Sequence, residues 1–205
     1  AVVICNGKDL NQFKQSNFIT LANVLGQTSL TDEKLNNELS CVICHEGYLT
    51  PSYKGKHVFG ATFDRQFSDI ELTPEANQRN LSQLQKYLPK WAESIKSIRN
   101  GHAAARPTTS DRYPFAGGLP DVDCFKQDYE DLKHGRTSQS YPKATYQDGL
   151  FVLGGFGSRG LTTSGYCANA LSHLMSNQTE SEQDKLLTAL HPARFLVRQM
   201  KRGKA

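Results

Sequence analysis

Apolar residues along this chain fall into short runs separated by polar or glycine-rich breaks, and the runs carry two different periods. Residues 1–5, Ala-Val-Val-Ile-Cys, are continuously apolar and lead into Asn6-Gly7, which predicts a buried strand ending in a turn. Strands are then expected at 24–30 and 39–45, followed by a hairpin whose arms, 47–51 and 57–63, close around Ser52-Tyr53-Lys54-Gly55-Lys56. Here the period changes. Thr73, Pro74 and Glu75 supply a cap, a first-turn proline and a first-turn acid. Leu81, Leu84 and Leu88 then share one helical face, and Pro89 stops the helix. From Ala103 to Gly118, Pro107, Pro114 and Gly117 forbid a long element, so a strand, a turn and a second strand are expected.

The sharpest pattern lies between Gly149 and Met175. Residues 150–153 form an apolar strand, 154–160 a glycine-rich turn, and from Leu161 a helix is expected with Ala168, Leu171 and Leu174 or Met175 inward. Gly155-Phe156-Gly157-Ser158-Arg159-Gly160 spells G-x-G-x-x-G between strand and helix, where glycines admit a ligand to the backbone and free N–H groups favour negative charge. A complete dinucleotide fold beginning here fails for want of a following buried strand with an acid at its end. Glu180 and Glu182 have the right offset but sit in a polar helix start. The turn is therefore expected to close a cofactor site whose diphosphate-binding part lies elsewhere.

Composition narrows the class. The 205 residues carry 24 Lys plus Arg against 20 Asp plus Glu, a net charge of +4, and 38% hydrophobic residues, ordinary values for a folded chain. That length supports one large domain or two small ones. No run reaches the roughly 20 apolar residues of a membrane span, and the first residues lack a signal-peptide pattern, so a cytoplasmic protein is expected. A start inside an apolar strand, without Met, suggests a piece of a longer protein whose missing part is N-terminal. Arg194, Arg198, Lys201, Arg202 and Lys204 make the C-terminus basic, a solvated face or a set of phosphate contacts. Cys41-Val42-Ile43-Cys44-His45 matches the haem-attachment spacing and holds three potential zinc ligands, but no export signal or second ligand pair accompanies it. Small thiols packed inside a strand are expected instead, and no metal.

Several segments resemble the D-amino-acid-oxidase-like flavoenzymes. Residues 1–7 are similar to the strand that ends the first part of their FAD-binding domain. Arg106-Pro107-Thr108-Thr109-Ser110-Asp111-Arg112-Tyr113-Pro114 with Gly117 resembles their R-P-x-T-x-D-x-x-P-x-x-G segment. With Gly26-Gln27, Gly47-Tyr48-Leu49-Thr50-Pro51, Gly60-Ala61-Thr62-Phe63-Asp64, Gly157-Ser158-Arg159-Gly160-Leu161-Thr162 and His191-Pro192-Ala193-Arg194-Phe195, the chain most resembles the oxidase module of the bifunctional tRNA 5-methylaminomethyl-2-thiouridine biosynthesis family.

The resemblance implies an α/β (α+β) fold: a partial FAD/NAD(P)-binding-type domain, made of 1–10 and 106–205, around a mainly antiparallel substrate domain, 11–105. It implies FAD as cofactor, tRNA as partner, and removal of the carboxymethyl group from 5-carboxymethylaminomethyl-(2-thio)uridine at the wobble position. The methyltransferase that uses S-adenosylmethionine and the opening glycine-rich unit of the FAD domain would belong to the N-terminal remainder of the same polypeptide. This piece alone is expected to hold FAD weakly and to be inactive. Arg106 matches the carboxylate-binding arginine of related glycine-type oxidases, with pairing to Asp111 as the structural alternative, and Tyr48 is a candidate for the substrate pocket. Cofactor contacts are expected from Asn6, Gly7, Gly26, Gln27, Gly155, Gly157, Ser158, Arg159, Gly160, Leu161 and Thr162. The sequence departs from the family at Leu25, where Arg is usual, and at Ser164-Gly165-Tyr166. A small-amine oxidase acting on glycine or sarcosine, and a non-catalytic RNA-binding module, are the alternatives.

Overall fold

The computed structural model describes residues 1–35, 39–134, 140–178 and 181–203, without the side chains of 181–184. Glu180 and Lys204 lie outside the described residues, as does the side chain of Glu182. The chain divides into two compact units, Ala1–Asn23 with Arg106–Ala205, and Val24–Ala105. The first unit therefore continues past residue 10, because Leu10, Phe18 and Ile19 belong to its core.

The first unit is built on three strands in the order β1 (Val2–Ile4), β8 (Tyr146–Gly154), β7 (Phe115–Pro120). β1 runs parallel to β8, with Val2 opposite Leu150 and Ile4 opposite Val152, and β7 runs antiparallel to β8, with Phe115 opposite Gly154. Side chains alternate across the sheet. Phe115, Leu119 and Val152 join Leu10, Ile19, Phe125, Phe195 and Leu196 in one core, while Ala116 meets Cys167, Ala170, Leu187 and Leu190 in another. Helices α4 (Gly160–Met175) and α5 (Ser181–Leu190) supply the second core, and α3 (Val122–Asp128) and α6 (Arg194–Lys201) contribute to the first. Two sequence expectations change here. β1 is not buried: Val2 is 61% exposed, since β8 flanks the strand on one side and no described strand flanks it on the other. α4 turns inward Cys167, Ala170 and Leu171, leaving Ala168 exposed, because small side chains let the helix approach Ala116 closely.

The second unit is built on a five-stranded sheet in the order β3 (Ile43–Cys44), β4 (Tyr48–Leu49), β5 (His57–Gly60), β2 (Ala22–Thr31), β6 (Asn100–Thr108), in which β3–β4, β4–β5 and β5–β2 pair antiparallel. Thr73 caps α1 (Pro74–Tyr87) by accepting from Ala76 N–H at 3.2 Å, and Pro89 opens the short helix α2 (Pro89–Ala92). Leu81, Leu84 and Leu88 pack with Leu49, Phe59 and Ile95, as their spacing requires. The expected strand 39–45 shrinks to Ile43–Cys44 at the sheet edge, and Cys41 and Cys44 are exposed rather than packed inside. Cys5 and Cys124 are also exposed, and only Cys167 among the five is buried.

Candidate functional site

In the first unit, the parallel pairing of β1 and β8 puts Asn6-Gly7 and Gly154-Gly155 at the same, carboxyl-terminal, end of the sheet. In open α/β sheets ligands bind at that end. A third segment joins it: Thr108, at the end of β6, makes an antiparallel bridge to Phe156 and donates its hydroxyl to Ala22 O at 2.8 Å. The glycine turn is demanding. Gly155 has φ +70°, and a Cβ there would lie 2.7 Å from a Phe115 ring carbon and 2.8 Å from Thr109 Cγ2. Gly157, at φ +57°, would bring a Cβ 3.0 Å from Thr108 Cγ2. Only glycine combines that conformation with that proximity.

From this turn α4 departs with no side-chain cap and no acid in its first turn. The hydroxyls of Thr162 and Thr163 point back to Arg159 O, at 3.0 and 2.8 Å, so they do not cap the helix amides. The first N–H groups of a helix have no intrahelical acceptor, and the macrodipole adds partial positive charge to them. Ser158 and Arg159 are exposed, and Leu161 is 100% exposed. A 3-10 turn, Gly157–Arg159, leads directly into α4, with Arg159 N donating to Phe156 O at 3.1 Å, so the positive end of the helix dipole emerges at an exposed turn.

Arg106 lies two residues before Thr108, half-buried, and has no ion-pair partner among the described residues. Asp111, the alternative partner, is taken by other residues. Arg194 Nε donates to Asp111 Oδ2 at 2.9 Å and Arg198 Nη1 approaches the same oxygen at 2.7 Å. Arg194 also donates to Leu190 O, Tyr113 O and Pro114 O at 2.8, 2.9 and 3.0 Å. Burial pushes the Asp111 carboxyl up, but donors from Arg194, Thr109, the Tyr113 N–H and Arg198 outweigh it and hold its pKa well below the usual carboxylate range. Arg194 is therefore a structural clamp and not part of a solvated basic tail, whose members without an ion-pair partner among the described residues are Lys201 and Arg202. Sequence reasoning missed the clamp because its partners are 83 residues apart and no local pattern links them. Beside it His191 accepts from Ala193 N–H on Nδ1 at 3.1 Å, and burial, then the charge of Arg194, pushes its pKa down to about 4.

In the second unit, Tyr48 is half-buried and lies opposite Gly60, and Gly26 is buried in β2. Gln27 is placed differently from the expectation of a cofactor contact. Its Nε2 donates to Thr73 O and Asn77 Oδ1, both at 2.9 Å, and its Oε1 accepts from Thr73 N at 2.9 Å. Its backbone N donates to Thr62 Oγ1, and its carbonyl accepts from Asn80 Nδ2 and Thr62 N. The side-chain amide of Gln27 thus fastens β2 to the start of α1, while its backbone is bonded to Thr62 and Asn80. Leu25, half-buried, exchanges backbone bonds with Asp64, whose carboxylate is gripped through both oxygens by Arg79 at 2.7 Å. Among the described residues no cluster of His, Cys, Asp and Glu is arranged to hold a metal, and no helix is long and apolar enough to cross a membrane.

Residues 1–174 match the family described as FAD dependent oxidoreductase. The tRNA 5-methylaminomethyl-2-thiouridine biosynthesis bifunctional protein MnmC of Shewanella baltica is 32% identical over 211 residues, covering 100% of this chain and 30% of that protein. The protein of the same name from Pseudomonas syringae pv. tomato is 34% identical over 213 residues, covering 98% and 32%. Among solved structures, glycine oxidase from Bacillus cereus superposes with a TM-score of 0.67 at 19% identity, over 92% of this chain and 44% of that one. Iminodiacetate oxidase from Chelativorans sp. superposes with a TM-score of 0.66 at 16% identity, over 88% and 43%. These two likenesses are of fold. The chain spans about a third of the length of the curated relatives, 30–32%.

Proposed function

Because this chain belongs to the FAD dependent oxidoreductase family, we propose that it is the closing part of an oxidase that removes the carboxymethyl group from 5-carboxymethylaminomethyl-(2-thio)uridine at the tRNA wobble position, leaving the 5-aminomethyl base. The tRNA-modifying names of its relatives support the substrate class. The observation that carries the reading is Arg106, a half-buried guanidinium without an ion-pair partner, two residues from the strand bridge to the glycine turn. An N-carboxymethyl amine is in effect a glycine, and a planar guanidinium suits its carboxylate through two parallel hydrogen bonds.

FAD fits the first unit in part. The uncapped, electropositive end of α4, with Gly155, Gly157, Ser158, Arg159, Gly160, Leu161 and Thr162, suits the electron-rich edge of a flavin ring. Asn6 and Gly7 flank the same end of the sheet. When bound, FAD supplies a hydride acceptor. The substrate carbon between amine and carboxylate gives up hydrogen with its electron pair as the nitrogen lone pair forms C=N. Water then splits that bond into the 5-aminomethyl group and glyoxylate. This chain's tasks are to hold the carboxylate on Arg106 and to stabilise negative charge at α4. Tyr48 is proposed for the substrate pocket, and Gln27 fastens Gly26 and its strand to the start of α1.

The FAD diphosphate requires a glycine-rich strand, turn and helix of its own. Among the described residues Asn6-Gly7 leads instead into a 3-10 turn, Gly7–Gln12. We assign that cradle to the remainder of the polypeptide, so residues 1–205 alone should hold FAD weakly and be inactive. The test is to incubate the full-length protein with tRNA carrying the carboxymethylaminomethyl base and analyse the nucleosides by mass spectrometry. FAD-dependent appearance of the aminomethyl base is expected. Turnover of free glycine or sarcosine with no change in the tRNA would instead assign a small-amine oxidase.

A further inference from the structure

The β4–β5 hairpin closes with an unusual turn. Tyr53 N donates to Lys56 O at 2.9 Å and Lys56 N to Tyr53 O at 3.1 Å, and the two residues between, Lys54 and Gly55, have φ +51° and +75°. Two successive left-handed residues define the type I′ turn, which ordinarily takes Asn-Gly. Here a lysine occupies the first left-handed position, where its Cβ strains the backbone. Its Nζ lies 5.4 Å from the centre of the Tyr53 ring. That ring is 74% exposed. Tyr53 and Lys56 are a directly opposed, hydrogen-bonded pair, so their side chains leave the same face of the hairpin. Neither lysine has an ion-pair partner among the described residues, and residues 52–56 contain no acid.

A two-residue turn therefore presents an aromatic ring to water, with two lysines beside it that have no ion-pair partner among the described residues. Aromatic faces stack on unpaired bases of any sequence, and lysines compensate the phosphates that accompany them. We propose that this turn is a contact for single-stranded RNA, with an unpaired base on Tyr53 and neighbouring phosphates on Lys54 and Lys56. The proposal rests on the tRNA reading above for the nature of its partner, since a wobble base lies in an unpaired loop.

The test measures binding of a labelled anticodon stem-loop to the full-length protein by fluorescence anisotropy over a range of salt. Tyr53→Ala should weaken binding about tenfold, and Tyr53→Phe should restore it to within about twofold, because stacking needs the ring and not the hydroxyl. Lys54→Asn suits the turn better than lysine does, so the melting temperature should hold or rise. Affinity should nevertheless fall about two- to threefold and the slope of log K against log salt should shrink by about 0.7. A merely structural role would move affinity and melting in the same direction. If the wild type binds the stem-loop and the variants match it, the RNA role of the turn is refuted while the proposed function stands. If the wild type binds no stem-loop, both fall. An acidic polypeptide bound with the same dependence on Tyr53 would assign the surface to a protein partner and overturn the proposal.

Discussion

Asp111→Ala tests whether the C-terminal helix is fastened by charge or by packing alone. The Asp111 and Arg194 side chains are 16% and 13% exposed, so this pair is largely out of water. Removing one partner of a buried ion pair costs about 3–5 kcal/mol, most of it the stranded charge left behind. Two features lower that figure. Arg194 keeps its bonds to Leu190 O, Tyr113 O and Pro114 O, and Arg198, 40% exposed, can turn to water and contributes at most the small energy of a surface pair. About 2–3 kcal/mol remains. At ~2–4 °C per kcal/mol for a region of this size, melting should fall by about 5–10 °C. The assay is urea and thermal denaturation of the full-length protein, with hydrogen exchange read over Arg194–Lys201 and residues 109–114. Faster exchange should be confined to those two segments. A loss under about 0.5 kcal/mol, or a cost for Arg198→Ala equal to that of Asp111→Ala, would refute the clamp.

Three further outcomes are expected. Arg106→Ala in the full-length protein should raise KM for the modified tRNA or lower kcat/KM by about 100-fold or more, as loss of a charge-assisted contact implies, while the flavin absorbance retained after desalting stays unchanged; equal kinetics would remove Arg106 from the substrate site. His191 has a folded pKa of about 4, below its unfolded value of about 6.5, so the unfolded chain takes up the proton first. Its contribution is complete above about pH 6.5 and falls by about 2 kcal/mol by pH 5. Asp111, held below its usual range, adds a loss in the same direction below about pH 4. His191→Gln should flatten the pH dependence of the urea midpoint between pH 7 and 5, and an unflattened profile would show that another group titrates there. Gly155→Ala should cost about 1–3 kcal/mol, from positive φ together with collision against Phe115 and Thr109; a neutral result in the same denaturation assay would mean that the turn is free to relax.

Local chemistry was legible wherever a residue acts on its own neighbourhood. Thr73-Pro74-Glu75 set the start of α1 because caps and first-turn prolines work within four residues, and Gly155 to Gly160 set the turn before α4 because only glycine takes positive φ cheaply. The strand arms around Tyr53 followed from period-two spacing. What tertiary structure decided were the matters of rotation, pairing and partner choice. The inward face of α4 runs through Cys167 and Ala170 because Ala116 of β7 lies opposite it, which no helical repeat encodes. Cys41 and Cys44 are exposed because the strand there shrinks to Ile43–Cys44 at the sheet edge and no described core covers it, and the amide of Gln27 is engaged by a helix that begins 47 positions later. Asp111 pairs with Arg194, 83 positions away, and not with Arg106, five positions away, because α6 packs beside the turn at 109–114, and Arg106 is left without an ion-pair partner among the described residues. Sequence determines which groups are available within a few residues of one another; only the packed fold decides which charges neutralise each other and which remain for chemistry.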